Sequence, residues 1–477
     1  MVKIKFGTAG WRGVISDEFT IGNVRLVTQA IANYLKKEAI GDKQQVVVGY
    51  DTRFLSESFA KVSSRVLAAN GIKALITVRN VPTPAFACEI LRRRTSGGIN
   101  FTASHNPPEY NGIKFSPSWG GPALPETTDA IERNCALLME GEPSLKDISW
   151  DKAIEKGLIE YIDPRPQYMK RIGELVNLEE IREAKLKVAV DLMYGTAREY
   201  LDAILIQAGC EVKALHNWRD VLFGGSPPEP SSGYLGDLVK TVKEERCDLG
   251  LATDGDSDRF GIIDRDGTFI SPNQVLALLL NHLVKTRKWK GVVARSVMTT
   301  SFVDAIARIH DIQVKETPVG FKYIAQVMLN NGMVIGGEES GGLTIRGHIP
   351  EKDGILACLL IAEMVAYEGR SIRETLDDLY RKVGLFLSER INFHLREDEM
   401  ETLKARLGKD LPTEIAGLRV EKTVDIDGLK FILADGSWLG IRLSGTEPVV
   451  RCYIETSSLE KLKNLEQAGK KLIECRR

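Results

Sequence analysis

Only seven cysteines occur in 477 residues, and none stands in a Cys-x-x-Cys pair. Cys88, Cys135, Cys210, Cys247, Cys358, Cys452 and Cys475 are scattered and odd in number, which argues against a disulfide framework or a thiolate zinc site and fits a reducing cytoplasm. Charge of one sign is missing as well. The 64 Lys and Arg residues nearly cancel the 65 Asp and Glu, with no block of like charge, so the nonspecific electrostatics of a nucleic-acid or polybasic membrane binder are absent. An anionic ligand must therefore be held by local clusters. The longest apolar run, Ile355 to Ala366, is too short for a membrane span, contains Glu363 and is predicted to be a buried helix. A cleaved signal peptide is not expected, because no basic region followed by an apolar core is found and Gly7 to Gly13 already reads as a functional loop.

From Gln45 onward, short β-branched runs alternate with amphipathic segments: Val46 to Val48, Ser56 to Asn70, Ala74 to Val78, Ala85 to Arg94. Ser56 is the expected N-cap and Gly71 the C′ residue of a helix whose inner face carries Phe59, Val62, Val66 and Leu67. The pattern restarts at Leu186 and again after the hairpin turn expected at Asp264 to Gly267. The last segment reads instead as a largely antiparallel sheet with helices at Glu397 to Arg406 and Leu459 to Ile473. Four domains are expected: residues 1–150, 151–264 and 265–375, each α/β, and 376–477, α+β.

Four polar loops carry the chemistry. Thr102-Ala103-Ser104-His105-Asn106-Pro107 offers a hydroxyl nucleophile, with His105 and Lys114 close enough in sequence to assist proton removal and charge neutralisation. Asp254, Asp256 and Asp258 alternate after an apolar strand and suit one magnesium ion with a phosphate oxygen as a further ligand. An EF-hand fails here, since Arg259 stands where glycine is needed and Arg265 where a bidentate glutamate is needed. Glu338 and Ser340, among Gly336, Gly337, Gly341 and Gly342, are acceptors for sugar hydroxyls on a backbone free to approach a ligand. Arg442, Ser444, Gly445, Thr446 and Arg451 combine guanidinium forks, hydroxyls and a glycine amide suited to a phosphate that is held rather than transferred. Arg12 and Lys322 are further cations expected at the site, and His348 is noted because Lys352-Asp353-Gly354 follows it.

With these loops in order along the chain, the sequence resembles the α-D-phosphohexomutase superfamily of phosphoglucomutases, phosphomannomutases and phosphoglucosamine mutases. The resemblance implies three similar α/β/α modules with mixed sheets and a C-terminal TATA-box-binding-protein-like domain around a central cleft. It implies that Ser104 is the phosphoserine, that its phosphate joins Asp254, Asp256 and Asp258 around Mg2+, and that Glu338 and Ser340 contact the sugar. Arg442, Ser444, Gly445 and Thr446 would grip the distal phosphate, while Arg12, His105, Lys114, Arg259 and Lys322 match basic residues near the reacting group. Lys114, with His105 nearby, is the expected proton-transfer group, which requires a lowered lysine pKa. Glucose 1,6-bisphosphate is the implied activator and a hexose phosphate the partner, with no nucleic acid or membrane and a monomer or homodimer as the assembly. Gly342 stands where many bifunctional members have His, and Glu339 and Gly320-Phe321-Lys322 look glucose-type, which favours phosphoglucomutase over mannose or glucosamine activity. A magnesium-dependent phosphatase is the competing class, and it would leave the distal phosphate grip without a use.

Overall fold

The computed structural model describes residues 4–7, 10–38, 44–141, 145–409, 411–443 and 449–474. They form two units, one of residues 1–272, 328–330 and 340–372, the other of 273–327, 331–339 and 373–477. Among the described residues no helix is long and apolar enough to cross a membrane, and Cys88, Cys135, Cys210, Cys247, Cys358 and Cys452 are free.

In the first unit, a mixed six-stranded sheet runs in the order Trp11–Val14, Tyr110–Pro117, Gly97–Phe101, Gln45–Tyr50, Lys73–Thr77 and Ile159–Ile162. Its register places the site. Tyr50 lies beside Phe101 in parallel strands, so the chain leaves both at the same edge. Lys114 lies opposite Asn100 and Arg12 opposite Gly112 in antiparallel neighbours, which brings two cations to that edge. The sixth strand carries this sheet past the boundary expected at residue 150, because Ala74 to Thr77 find parallel partners in Ile159–Ile162. The helix Ser56–Ala69 buries Phe59, Val66 and Leu67 as predicted and ends before Gly71 at φ +78°. Its cap differs from expectation: Leu55, at φ 62°, precedes the helix, while the buried Ser56 hydroxyl donates to Asp51 and accepts from Asn111.

A second mixed sheet in this unit runs Phe269–Ile270, Phe260–Asp264, Leu249–Thr253, Lys187–Asp191 and Glu211–Leu215. The turn at Asp264 to Gly267 forms as expected, but its return strand Phe269–Ile270 still belongs to this sheet, beyond the boundary placed at residue 264. The helix Gly354–Glu368, buried from Gly354 to Val365, packs on Leu249–Thr253, Phe260–Asp264 and the helix Leu178–Ala184. This helix belongs to the first unit.

The second unit contains the parallel strands Gln313–Thr317, Val292–Ser296 and Met333–Glu338, with Val292–Ser296 between the other two. Its C-terminal sheet is antiparallel throughout, in the order Leu387–His394, Val449–Thr456, Trp438–Leu443, Leu429–Leu433, Leu418–Val424 and Glu414–Ile415. Helices Glu397–Leu407 and Leu459–Glu474 cover one face with Leu403, Leu407, Leu465 and Ile473. Buried Glu455 joins this sheet to the parallel module by accepting from Ser301 N at 2.9 Å, Trp438 Nε1 at 2.8 Å and the hydroxyls of Thr300 and Ser388. Lys430 donates to the Val297 carbonyl at 2.8 Å and lies 3.9 Å from the Trp438 ring centre.

Burial, reinforced by Arg295, pushes the Lys430 ammonium down to about 8 despite the ring contact. Below that pH both folded and unfolded chains hold the proton, and the cost of burying the charge is fully present. Between pH 8 and the unfolded lysine value of about 10.4 the unfolded chain binds more protons, so stability is expected to rise with pH. Lys430→Met should remove that part of the rise. Urea midpoints of both proteins across this range check it, and parallel pH profiles would refute it.

Candidate active site

Ser104 stands at a left-handed φ of 53° and is 2% exposed. Few non-glycine residues adopt that conformation without support. Its amide donates to Thr102 Oγ1 at 2.8 Å, and Arg53, from the loop that leaves the sheet beside it, holds the rest. The five guanidinium N–H donors of Arg53 are all used: Nε on Asp51 Oδ2, Nη1 on the carbonyls of Pro107 and Tyr110, and Nη2 on the carbonyls of Ser104 and Asn106. A lysine, with three donors on a single nitrogen, cannot reproduce this fork. Sequence reading missed Arg53, although Asp51-Thr52-Arg53 directly follows a buried strand as the signature loops do.

Ser104 Oγ donates to Asp254 Oδ2 at 2.6 Å and lies 3.2 Å from His105 Nδ1. Asp254, Asp256 and Asp258 follow strand Leu249–Thr253, are buried, and bring one oxygen each within 4.8 Å of the others. Gly255 permits this approach, because a Cβ there would stand 2.7 Å from the Ser104 carbonyl oxygen. Gly354 does the same behind the loop, where a Cβ would meet the Arg259 carbonyl at 2.1 Å. Thr83, at the start of helix Thr83–Arg93, donates through N–H and hydroxyl to Asp256.

The acidic cluster is compensated by lysines. Lys114 Nζ lies 2.6 Å from Asp256 and 3.2 Å from Asp258, and Lys352 Nζ lies 3.2 Å from Asp258 and 2.9 Å from Glu351. Burial followed by Asp256 and Asp258 pushes Asp254 well above the usual carboxylate range. For Asp258 burial acts the same way, but Lys352, Lys114 and Arg259 overcome it and hold the group well below that range. Asp256 Oδ1 and Asp258 Oδ1 remain buried without a partner. Hard oxygen donors with unfilled lone pairs and mutual repulsion fit a divalent cation, and magnesium suits few carboxylates plus a phosphate.

Arg12 donates to Asn106 Oδ1 of the serine loop, and Arg259 N donates to Asp254 Oδ1 at 2.9 Å while its Nε is buried without a partner. His105 feels both. Burial, then Arg259 and Arg12, push its imidazole well below the ordinary value, so it is neutral at neutral pH. Burial opposes the Lys114 charge, but Asp256 and Asp258 more than compensate and raise its pKa. Lys352 is buried and reaches Asp258 as well, from the segment in which only His348 had been noted. His348 itself pairs with Asp353, which caps helix Gly354–Glu368 and accepts from Tyr168.

The first unit thus gathers Ser104, His105, Lys114, Arg12, Arg259 and the three aspartates, and it also carries half-buried Ser340. The second unit carries Lys322, Glu338, Arg442 and Arg451. There Glu338 Oε1 accepts from Gly320 N at 2.6 Å, and Glu339 accepts from Ser296 and Thr299 hydroxyls. Arg442 and Arg451 are partners across adjacent strands, which sets two guanidinium groups side by side. Ser444, Gly445 and Thr446 lie outside the described residues.

Sequence-family models match four segments: phosphoglucomutase/phosphomannomutase alpha/beta/alpha domain I at residues 3–140, domain II at 166–267, domain III at 271–383 and the C-terminal domain at 395–470. A Thermococcus kodakarensis relative named phosphoglucomutase/phosphomannomutase is 31% identical over 469 residues, covering 98% of each chain. A Methanothermobacter thermautotrophicus relative named "probable phosphoglucosamine mutase" is also 31% identical, covering 98% of this chain and 97% of its own. The solved structure of a phosphomannomutase-type protein from Thermus thermophilus superposes with a TM-score of 0.84 at 31% identity, covering 99% of both chains.

Replacing Arg53 by Met is expected to strip a donor from each of the four loop carbonyls and leave Asp51 without its ion-pair partner. Breaking such a buried pair costs about 3–5 kcal/mol of unfolding free energy. Denaturant unfolding checks this, and a loss within ~0.5 kcal/mol of zero would contradict it.

Proposed function

The chain belongs to the α-D-phosphohexomutase superfamily, in its phosphoglucomutase/phosphomannomutase family, and on that premise we propose that it interconverts glucose 1-phosphate and glucose 6-phosphate. The observation that carries this reading is the Ser104 hydroxyl, held 2.6 Å from a carboxylate of a metal-ready triad and flanked by Arg12, Arg259 and Lys114. Phosphorylated Ser104 is the donor: its P–Oγ bond breaks as the substrate hydroxyl forms the new P–O bond. The proton leaving that hydroxyl must reach the departing Ser104 Oγ, and His105, whose Nδ1 lies 3.2 Å from Oγ, is placed to relay it. Arg12, Arg259 and the charged Lys114 stabilise the equatorial oxygens in flight. Asp254, Asp256 and Asp258 would hold magnesium, which would supply charge neutralisation for the phosphate.

The product of the first transfer is glucose 1,6-bisphosphate, and return of its other phosphate to Ser104 completes the isomerisation. Glucose 1,6-bisphosphate also serves as the activator that primes Ser104. Arg442 and Arg451, with Ser444, Gly445 and Thr446, hold the phosphate that is not reacting. Glu338 and Ser340 bind sugar hydroxyls, and Lys322 adds a cation. Glu339 and Gly342 favour glucose. Mannose phosphates are the second reading, supported by the names of relatives at similar identity and by the few kcal/mol that one epimeric hydroxyl contributes. Glucosamine phosphates rank lower because Gly342 replaces the histidine.

With magnesium, glucose 1-phosphate is expected to yield glucose 6-phosphate without stoichiometric inorganic phosphate, and catalytic glucose 1,6-bisphosphate should stimulate turnover. Phosphate release without isomerisation would make the protein a phosphatase, and preferential turnover of mannose or glucosamine phosphate would overturn the sugar assignment. Ser104→Ala should lower isomerisation by roughly a thousandfold or more while sugar-phosphate affinity stays near wild type. Kinetics with calorimetry read both quantities, and normal turnover by this variant removes Ser104 from the mechanism.

A further inference from the structure

Asp427 lies in the turn between strands Leu418–Val424 and Leu429–Leu433, and no motif singles it out. Its Oδ2 accepts two hydrogen bonds, from Arg442 Nε at 2.9 Å and from Val319 N at 3.0 Å. The first donor belongs to the strand that runs into residues 444–448, the second to the loop before Gly320 and Lys322. Gly320 N in turn donates to Glu338 Oε1 at 2.6 Å. A continuous path therefore runs from Glu338 through the Val319–Gly320 peptide to Asp427 and Arg442, within the second unit.

We propose that Asp427 is a positioning residue that orients the Arg442 guanidinium for phosphate and couples that grip to the sugar loop, an inference that rests on reading Arg442 as a phosphate ligand. Three features set this pair apart from an incidental surface ion pair. The side chains are only 15% exposed for Arg442 and 26% for Asp427, so solvent screens them weakly. The turn is pressed against the arginine: Gly428 has φ +77°, and a Cβ there would lie 2.4 Å from the Ile441 carbonyl oxygen and 3.1 Å from Arg442 Cα. The carboxylate occupies Nε and so leaves the paired Nη edge for bidentate contact with a phosphate. Arg451, opposite Arg442 in the ladder, would otherwise repel it from the shared position. Holding Arg442 by its Nε restricts the side chain before ligand arrives, which reduces the ordering cost of binding.

The test is a double-mutant cycle with Asp427→Ala and Arg442→Ala, reading glucose 6-phosphate affinity by calorimetry and KM and kcat separately. Asp427→Ala is expected to weaken affinity and raise KM by about fivefold or more, with a smaller change in kcat, and to have no further effect once Arg442 is Ala. Asp427→Asn, which keeps an acceptor oxygen of the same shape, should recover part of the loss. Unchanged affinity in Asp427→Ala, or an equal loss with and without Arg442, overturns the positioning role. Unchanged affinity in Arg442→Ala alone overturns the phosphate assignment itself, separately from the function of Ser104.

Discussion

Three buried carboxylates crowded within 4.8 Å impose the constraint around which the first unit is built. Like charges so close in a poorly hydrated interior repel strongly, and each needs a compensating cation or a proton. Lys114 arrives from one strand of the first sheet and Lys352 from the segment before helix Gly354–Glu368, so the acidic loop is neutralised from two directions. Glycines at positions 255 and 354 let backbone close in where any side chain would collide. Burial together with this crowding pushes the Asp254 pKa up, and two carboxylate oxygens are left without partners, an arrangement that suits a divalent cation.

Beside this acidic cluster lies a basic one, and Ser104 sits between them. Burial, then Arg259 and Arg12, make the region around His105 unfavourable for another positive charge, so the histidine next to Ser104 is kept neutral. An anionic phosphate would relieve the repulsion among these cations, as a metal would relieve that among the aspartates. The serine can occupy its left-handed conformation because Arg53 ties its loop down by carbonyl oxygens alone, leaving the hydroxyl free for chemistry. In the second unit the same principle recurs in reverse, with a carboxylate, Asp427, holding an arginine.

Much of the fold was legible because its signals are local. Strand Gln45–Tyr50 contains the β-branched run Val46 to Val48, strand Lys73–Thr77 overlaps the run Ala74 to Val78, and the apolar run around Ile355 is the buried helix expected. The candidate serine and the acidic triad were likewise visible, since each concentrates its chemistry in a few residues after a strand, whereas Arg442 and Arg451 become partners only through strand pairing. The cap at Ser56 was misread because residue type alone does not reveal that Asp51 and Asn111, met only on folding, occupy its hydroxyl. The sheet that strand Ile159–Ile162 joins was not legible, because it pairs with residues some eighty positions earlier.

Sequence by itself singled out the candidate groups and the order of the modules, because periodicity and short motifs are properties of neighbouring residues. Tertiary structure decided which groups work together. Arg53 and Lys352 gain significance only when parallel strands end at one edge and a buried helix docks beside the aspartates. The charge state of Lys114 was likewise undetermined until Asp256 and Asp258 were placed at hydrogen-bonding distance, since a pKa depends on charges in space rather than along the chain.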